Sequence, residues 1–372
     1  MRHFHKLVGV SVCALVALSG CKSFRRSVRG GVNAEELKTI QLLPSRFCGN
    51  SGADLQLLAT DSDGDPIKSA EENADFFDNA VEFRSEYGRV QAMQFQIAEP
   101  FSHIDQAVKI SANIKGRPDT LTEITLQPDY TCDVHIDLAG RSGRNGESGR
   151  NGQDGTQATQ PGGVGQMGGS GGDGQNAPPV DIDLYTISTP QHPTLAVVYA
   201  RWSGTSDGQY AIYDPTKVVA NVVARGGDGG NGGSGGHGGR GGHGEQCRGA
   251  GLGGAGAQGG QGGAGGAGPR VVVRYDKTQG ELLTRSLKVS NPGGHGGSAG
   301  YGGNGGTGGD GAYCADQMTD HGANGQNGQP GYEGAPGQAG PPPNWRGLNP
   351  SELTHVGPAT APNPPNAQGG NL

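Results

Sequence analysis

Glycine recurs at every third position in three long blocks of this chain, and this period constrains the fold more than any other feature. In "GGDGGNGGSGGHGGRGGHG", residues 226–244, two of every three residues are glycine. A flexible glycine linker has no reason to keep a register, whereas a polyproline II backbone has three residues per turn. The period therefore predicts ordered, extended rods rather than a disordered tether.

Each block is interrupted once near its middle, at residues 156–161, 245–252 and 312–321. The runs on either side of these interruptions contain 16 and 13, 19 and 16, and 19 and 19 residues. At roughly 3.1 Å per residue, such runs form rods of about 40–60 Å. Near-equal runs about a central loop predict three hairpins, and hence six rods.

The number of glycines in each triplet predicts where each rod lies. A polyproline II backbone has no internal hydrogen bonds, so its N–H and C=O groups need partners on neighbouring rods. The second to fifth rods are mostly Gly-Gly-X, so we expect them to have neighbours on two sides; the first and sixth are mostly Gly-X-Y and are expected at the edges. A collagen-like stalk is an alternative that explains only the two Gly-X-Y rods.

The period and the hairpin layout resemble the polyglycine II bundles of phage tail-fibre tip adhesins and of the springtail antifreeze protein. The resemblance covers residues 140–340 intermittently and leaves β segments at 177–225 and 269–292 unexplained. In the phage adhesins the loops at one end of the bundle bind the receptor, and in the antifreeze protein a flat face binds ice. The resemblance implies a non-catalytic role in adhesion or surface structure, with ice or other surface binding as the alternative.

The first 21 residues have the features of an export and lipidation signal. A basic start precedes the 13-residue apolar segment 7–19, which has signal-peptide length and is too short to span a bilayer. The tetrapeptide "LSGC" at residues 18–21 resembles the lipobox of bacterial lipoproteins. The resemblance implies that residues 1–20 are removed and that acylated Cys21 anchors the protein in a membrane. By the same analogy Lys22 favours the outer membrane, facing the periplasm or the cell surface.

Four cysteines remain besides those of the signal and the lipidation site: Cys48, Cys132, Cys247 and Cys314. An even number in an oxidising compartment implies two disulfides, for which three connectivities are possible. Cys247 and Cys314 each lie in the central interruption of a hairpin. If those hairpins stand side by side, the predicted bridges are Cys247–Cys314 and Cys48–Cys132.

Residues 36–139, after a linker at 21–35, alternate between apolar and polar side chains, as in "CDVHIDL". This alternation predicts half-buried strands and, over about 100 residues, a small β-sandwich. The segment "DLQLLATDSDGDPIK" resembles a strand and turn of bacterial Ig-like surface domains. The predicted fold is mainly β with almost no α-helix after the signal peptide. A β-hairpin is expected at 271–290, and a disordered Pro-rich tail at 341–372.

Two groups of residues suggest metal binding, and in both a simpler interpretation is favoured. Asp61, Asp63 and Asp65 have the spacing of a calcium loop, but Pro66 stands where an EF-hand needs glycine, so we expect an acidic turn. Two histidines of the third glycine run, His237 and His243, are six residues apart, or about 19 Å on such a rod. One ion cannot bridge that distance, so solvated side chains are expected.

The candidate binding residues lie in the interruptions of the second and third hairpins, because loops on a rigid scaffold often carry recognition. They are Glu245, Arg248, Tyr313, Asp316, Asp320 and His321. The sequence contains no nucleophile elbow, zinc signature or phosphate loop, so we expect no enzyme, no catalytic residue and no cofactor. Loss of the signal leaves 26 basic against 35 acidic residues, which argues against nucleic acid. The expected partners of this monomer are the membrane, through the lipid, and a glycan or protein receptor.

Overall fold

The computed structural model describes residues 37–353 apart from 50–51, 65, 69–73, 99, 207 and 316. The chain is mainly β, with 34% strand and 7% helix. The predicted lipidation site Cys21, the predicted linker at 21–35 and the end of the tail, residues 354–372, lie outside the described residues.

An N-terminal unit is built from short strands around one apolar core. Its sheets have the orders β1-β4-β5, β10-β9-β6 and β3-β8-β7, and β11 pairs with β2 in parallel. Phe77, Phe95 and Val108 are fully buried in the core. The elements are β1 (Leu37–Leu43), β2 (Phe47–Cys48), β3 (Ala53–Asp54), β4 (Gln56–Asp61), β5 (Pro66–Lys68), α1 (Ala74–Ala80), β6 (Val81–Ser85), β7 (Gly88–Gln91), β8 (Gln94–Ile97), β9 (Val108–Ile114), β10 (Arg117–Leu126) and β11 (Pro128–Asp129).

The second unit has two sheets that face each other across a core containing Ile182 and Val222. One sheet is parallel, with the order β12-β16-β18; the other has the order β15-β14-β13-β17-β21, and its strands β13, β17 and β21 are parallel. The elements are β12 (His135–Ala139), β13 (Val180–Ile187), β14 (Leu195–Trp202), β15 (Gly208–Tyr213), β16 (Ala220–Arg225), β17 (Val271–Asp276), α2 (Gly280–Arg285), β18 (Leu287–Ser290), β19 (Tyr313–Cys314), β20 (Gln317–Met318) and β21 (Asn344–Leu348).

The two units are joined covalently and by packing. The Cys48–Cys132 disulfide, paired as the sequence predicts, ties β2 to the segment that leads into the second unit. Phe101 and Tyr130 of the N-terminal unit pack in one cluster with Tyr185 of β13. The apolar–polar alternation places strand β12 in the sandwich predicted for residues 36–139. In the structure β12 pairs instead with β16 in the second unit.

Three features of the second unit differ from the sequence expectations. Residues 271–290 form no hairpin, because β17 pairs with β13 and β18 pairs with β16 in the other sheet. The intervening segment contains α2, preceded by a turn in which Asp276 accepts the N–H of Thr278 at 2.8 Å. The prediction of disorder from residue 341 is wrong for β21, which pairs with β17 and so completes the larger sheet.

A buried ion pair holds the outer face of the larger sheet. Asp183 of β13 has a fully buried side chain and accepts two hydrogen bonds from Arg274, at 2.6 and 2.9 Å. Arg201 of β14 lies 3.5 Å from the same carboxylate. Burial raises the pKa of Asp183, and the two guanidinium groups oppose that rise.

Each glycine-rich hairpin leaves the parallel sheet and returns to the larger sheet. The rods are defined here as rod 1 (140–155), rod 2 (162–177), rod 3 (226–244), rod 4 (251–268), rod 5 (293–311) and rod 6 (322–340). Rods 1, 3 and 5 follow β12, β16 and β18, and rods 2, 4 and 6 lead into β13, β17 and β21. Rods 1, 3 and 5 therefore form one layer that continues the parallel sheet, and rods 2, 4 and 6 form a second layer that continues the larger sheet.

Backbone hydrogen bonds join the rods at every third residue. In rod 3, Gly229 donates to His295 of rod 5 and Gly230 donates to Gly172 of rod 2, both at 2.8 Å. Rod 3 also accepts from rods 1 and 4 in each repeat. Within the described chain, rods 3 and 4 bond to four neighbours, rods 2 and 5 to three, and rods 1 and 6 to two. The Gly-X-Y rods thus lie at the edges, and the Gly-Gly-X rods have more neighbours than expected.

Glycine is required where the rods approach one another. A Cβ added to Gly233 of rod 3 would overlap the backbone carbonyl of Glu147 in rod 1. A Cβ added to Gly249, in the loop after rod 3, would meet no atom within 4 Å. Substitutions at the two positions therefore distinguish the effect of close packing from the effect of glycine on backbone entropy.

Gly233→Ala should destabilise the protein by about 3 kcal/mol, at the upper end for an overpacked site because the obstructing atoms are backbone. Gly249→Ala, the matched control, should change the free energy of unfolding by less than about 1 kcal/mol. Urea unfolding of both variants measures the difference. Equal effects of the two substitutions would refute close packing at rod 3.

The third residue of each triplet carries its side chain on an outer face of the bundle. We call face A the face formed by these residues of rods 1, 3 and 5. Face B is formed by those of rods 2 and 4 together with the residue after each glycine of rod 6, such as Ala323, whose carbonyl accepts the N–H of Gly253 in rod 4 at 2.8 Å. On face A, Asn145 accepts the N–H of Asn231 at 2.9 Å, and Asn231 accepts the N–H of Ser298 at 2.9 Å. Short polar side chains thus bond the outward N–H groups of the next rod.

Asp228 of rod 3 takes part in this pattern with a charge. It accepts the N–H of His295 and a hydrogen bond from Arg225, each at 2.8 Å. These two contacts hold the pKa of Asp228 below its usual value. A lowered pKa means that the folded state favours the charged carboxylate. The contribution of this carboxylate to stability is therefore present above the pKa of the unfolded state and is lost as the pH falls through the lower pKa of the folded state.

Asp228→Asn keeps an oxygen that can accept the N–H of His295 and removes the charge. The variant should therefore be less stable than the wild type at about pH 6, and the difference in stability should be much smaller at about pH 3. The urea concentrations at the unfolding midpoints of the wild type and the variant, at both pH values, measure how far this difference in stability decreases. Asp119→Asn, a change at an exposed carboxylate, serves as the control. A cost that is the same at both pH values would contradict the assignment.

Candidate binding site at the distal loops

The three loops that close the hairpins lie at the end of the bundle away from the sheets, because every rod starts or ends at a strand. The first loop, 156–161, is a tight turn in which Gln160 donates its N–H to the carbonyl of Gln157 at 3.1 Å. The side chain of Gln160 also accepts the N–H of Thr156 at 2.9 Å. This loop leaves few polar groups for a ligand.

The second and third loops form one joined structure. The Cys247–Cys314 disulfide connects them, with the two Cα atoms 4.5 Å apart, and its pairing is the one that side-by-side hairpins predict. The hydroxyl of Thr319 donates to the carbonyl of Arg248 at 3.4 Å. Within the third loop, β19 pairs with β20 in a short antiparallel hairpin. The covalent link and the hairpin give these loops a defined shape.

The candidate residues that the structure describes all lie at the surface of this joined loop structure. Tyr313 is 74% exposed, and the side chains of Glu245, Arg248, Asp320 and His321 are exposed as well. Asp316 lies outside the described residues. Met318, which no pattern in the sequence indicates, is the register partner of Tyr313 and is 49% exposed. The loops therefore present two apolar side chains beside charged ones.

A charged cluster at the base of these loops was not expected from the sequence. Arg240 lies 2.6 Å and His243 lies 3.3 Å from one carboxylate oxygen of Asp310, and His321 lies 3.9 Å from the other. The cluster joins rods 3 and 5 to the third loop. Only the register between the rods brings these residues together, and no local pattern in the sequence gives that register.

The histidines of rod 3 have protein partners and are not simply solvated. His237 accepts the backbone N–H of Asn304 at 2.9 Å through Nδ1, and His243 contacts Asp310. Asp61, the first residue of the calcium-like spacing, accepts the N–H of Asp63 at 3.0 Å in a turn. Asp65 lies outside the described residues.

Among the residues that the structure describes, no three His, Cys, Asp or Glu side chains are arranged to hold a metal ion. The same part of the chain has no helix that is both long enough and apolar enough to cross a bilayer. Compared with known protein families, with curated proteins and with solved structures, the chain shows no match.

Replacing both Cys247 and Cys314 by serine should release the joined loops while the rods stay bonded. A disulfide that closes a loop of this length is typically worth about 2–4 kcal/mol. We expect a loss of that size in the free energy of unfolding, with faster amide hydrogen exchange at 312–321 than at 226–244. Unchanged exchange in the loops would show that the disulfide does not order them.

Proposed function

We propose that this protein is a membrane-anchored lipoprotein with a non-catalytic role in adhesion or surface structure. Its bundle would be a polyglycine II scaffold that displays the distal loops to a receptor. The observation that carries the proposal is the disulfide-joined pair of loops, with Tyr313 74% exposed, at the far end of a hydrogen-bonded bundle. Loops fixed on a rigid support lose little entropy on binding.

The hydrogen bonds support the polyglycine II assignment. Donors recur at every third residue, as in Gly227, Gly230 and Gly233 of rod 3, which all donate to rod 2. A three-residue turn without internal hydrogen bonds has this property. Gly163 donates to Gln153 and Gly169 donates to Glu147, so rods 1 and 2 run antiparallel within one hairpin. This arrangement favours a bundle over a collagen-like stalk, which winds three separate chains together.

The N-terminal unit would serve as an Ig-like spacer between the lipid on Cys21 and the bundle. The Cys48–Cys132 disulfide supports an oxidising compartment, as expected for an outer-membrane lipoprotein in either orientation. Binding to ice or to another flat surface is the second candidate. It is favoured by face B, on which Asp173 is the one formally charged residue.

Cells that express the wild type, Cys21→Ser or a loop variant with Tyr313→Ser and Arg248→Ser should differ in adhesion to a panel of cells and abiotic surfaces. We expect adhesion of the wild type, loss of membrane association with Cys21→Ser, and at least about tenfold weaker adhesion of the loop variant, since exposed aromatic and arginine side chains carry much of interface energy.

Gln153→Ser, on the exposed edge of rod 1, is the matched control and should adhere like the wild type. Adhesion that survives the loop variant would refute display by the loops. Membrane association that survives Cys21→Ser would refute lipid anchoring. Thermal hysteresis of the purified protein would favour ice binding instead.

A further inference from the structure

The two faces of the bundle differ in charge. Face A carries Asp154, Asp228, Arg240 and Asp310 along rods 1, 3 and 5. Face B carries one charge, at Asp173, and several uncharged amides. Its residues are Val164, Met167, Ser170, Asp173 and Asn176 in rod 2, Leu252, Ala255, Gln258, Gln261, Ala264 and Ala267 in rod 4, and Ala323, Gln326, Gln329, Tyr332, Ala335 and Gln338 in rod 6.

The glutamine amides of face B are free because their side chains are one methylene longer than those of aspartate and asparagine. Asp173 and Asn176 reach the N–H groups of Ala264 and Ala267, at 2.8 and 2.7 Å, as the short side chains of face A reach theirs. The glutamine amides of rods 4 and 6 bond to no other residue in the described part of the chain. They point donors and acceptors to solvent.

Some backbone donors of face B are free as well. In rod 4 the N–H groups of Gln258 and Gln261 have no acceptor within the described residues. Their neighbours in rod 2, Met167 and Ser170, have no carboxylate or amide with which to accept these bonds. On face A the corresponding N–H of His237 is bonded to Asn151 at 2.9 Å. Face B therefore exposes uncharged hydrogen-bonding groups in a regular array.

Apolar side chains lie among these polar groups. Val164 is 66% exposed, Met167 68%, Leu252 57% and Tyr332 71%. Several exposed large apolar side chains on one face are typical of an interaction surface. A ligand for face B needs apolar patches and many hydroxyl or carbonyl groups, and it needs no charge.

We propose that face B binds a neutral polysaccharide that lies along the rods. Sugar hydroxyls both donate and accept, so they match the glutamine amides and the free N–H groups. The C–H faces of the sugar rings pack on Tyr332 and Met167. Rods of this length give a surface of about 50 Å, which accommodates several consecutive sugar units. This site is separate from the distal loops and does not depend on the proposed adhesion through them.

The charge pattern favours this ligand over the other occupants of a flat face. An anionic polymer or an acidic membrane needs a basic surface, and face B has none. A second copy of the chain is the remaining occupant, and mass measurement distinguishes it.

Co-sedimentation of the full chain with microcrystalline cellulose and with chitin, and affinity electrophoresis in neutral soluble glucans, test the site, with anionic alginate for comparison. We expect retention by at least one neutral polysaccharide, independent of added salt. Tyr332→Ala should weaken it about fivefold through the lost ring contact. Gln329→Glu, which places a charge on face B, should weaken it similarly.

Two matched controls lie elsewhere on the bundle. Tyr301→Ala removes an 80% exposed tyrosine from face A, and Gln153→Glu adds the same charge to the edge of rod 1. Both should bind like the wild type, as should Tyr313→Ala in the third loop. All variants change exposed side chains, and thermal melts confirm their folding.

Failure to bind any of the neutral polysaccharides overturns the proposal, and so does binding to alginate alone. Equal loss with Tyr301→Ala overturns it as well, because the binding would not belong to face B. Sedimentation equilibrium that shows a dimer dissociated by Tyr332→Ala assigns face B to a second copy instead. Loss with Tyr313→Ala alone would assign the binding to the distal loops.

Discussion

The bundle depends on backbone hydrogen bonds between rods, and these bonds form only where no side chain separates the rods. Ordering each residue costs roughly 1–2 kcal/mol, and a typical hydrogen bond returns about 0.5–1.5 kcal/mol. A hairpin whose two rods bond only to each other does not offset this cost. Rods 3 and 4 bond to four neighbours each, so the second hairpin is stable because the first and third flank it. The three hairpins therefore support one another.

The sheets set the register that these bonds require. In the parallel sheet Ala139 pairs with Arg225, and the next residue of the chain, Gly140, donates its N–H to the carbonyl of Arg225 at 2.8 Å. The ladder of the strands passes into the rods without a break. Three rods begin at strands of the parallel sheet, and the other three end at strands of the larger sheet. The glycine triplets of all six rods therefore meet in a fixed alignment. The apolar core between the sheets thus specifies the contacts of a bundle that has almost no apolar core of its own.

The sequence predicts the features that a local period or a local loop determines. Triplet glycine gives the rods and the edge positions of rods 1 and 6, and the loop positions of Cys247 and Cys314 give their disulfide. Contacts between distant segments could not be predicted in this way. The separate sheets of β17 and β18, the pairing of β21 with β17, and the cluster around Asp310 all depend on registers between residues far apart in the chain.

Edge side chains explain why the bundle stops at six rods. In rod 1 the position that is glycine throughout rod 3 is occupied by Arg141, Arg144 and Arg150, whose exposed side chains prevent another rod from approaching. Rod 6 has Pro330 and Pro336, which have no N–H to donate. Blocked edges favour the monomer that we expect, much as charged residues and proline protect the edge strands of β-sheets. With both edges blocked, the broad faces and the distal loops are the bundle surfaces that remain open to a ligand.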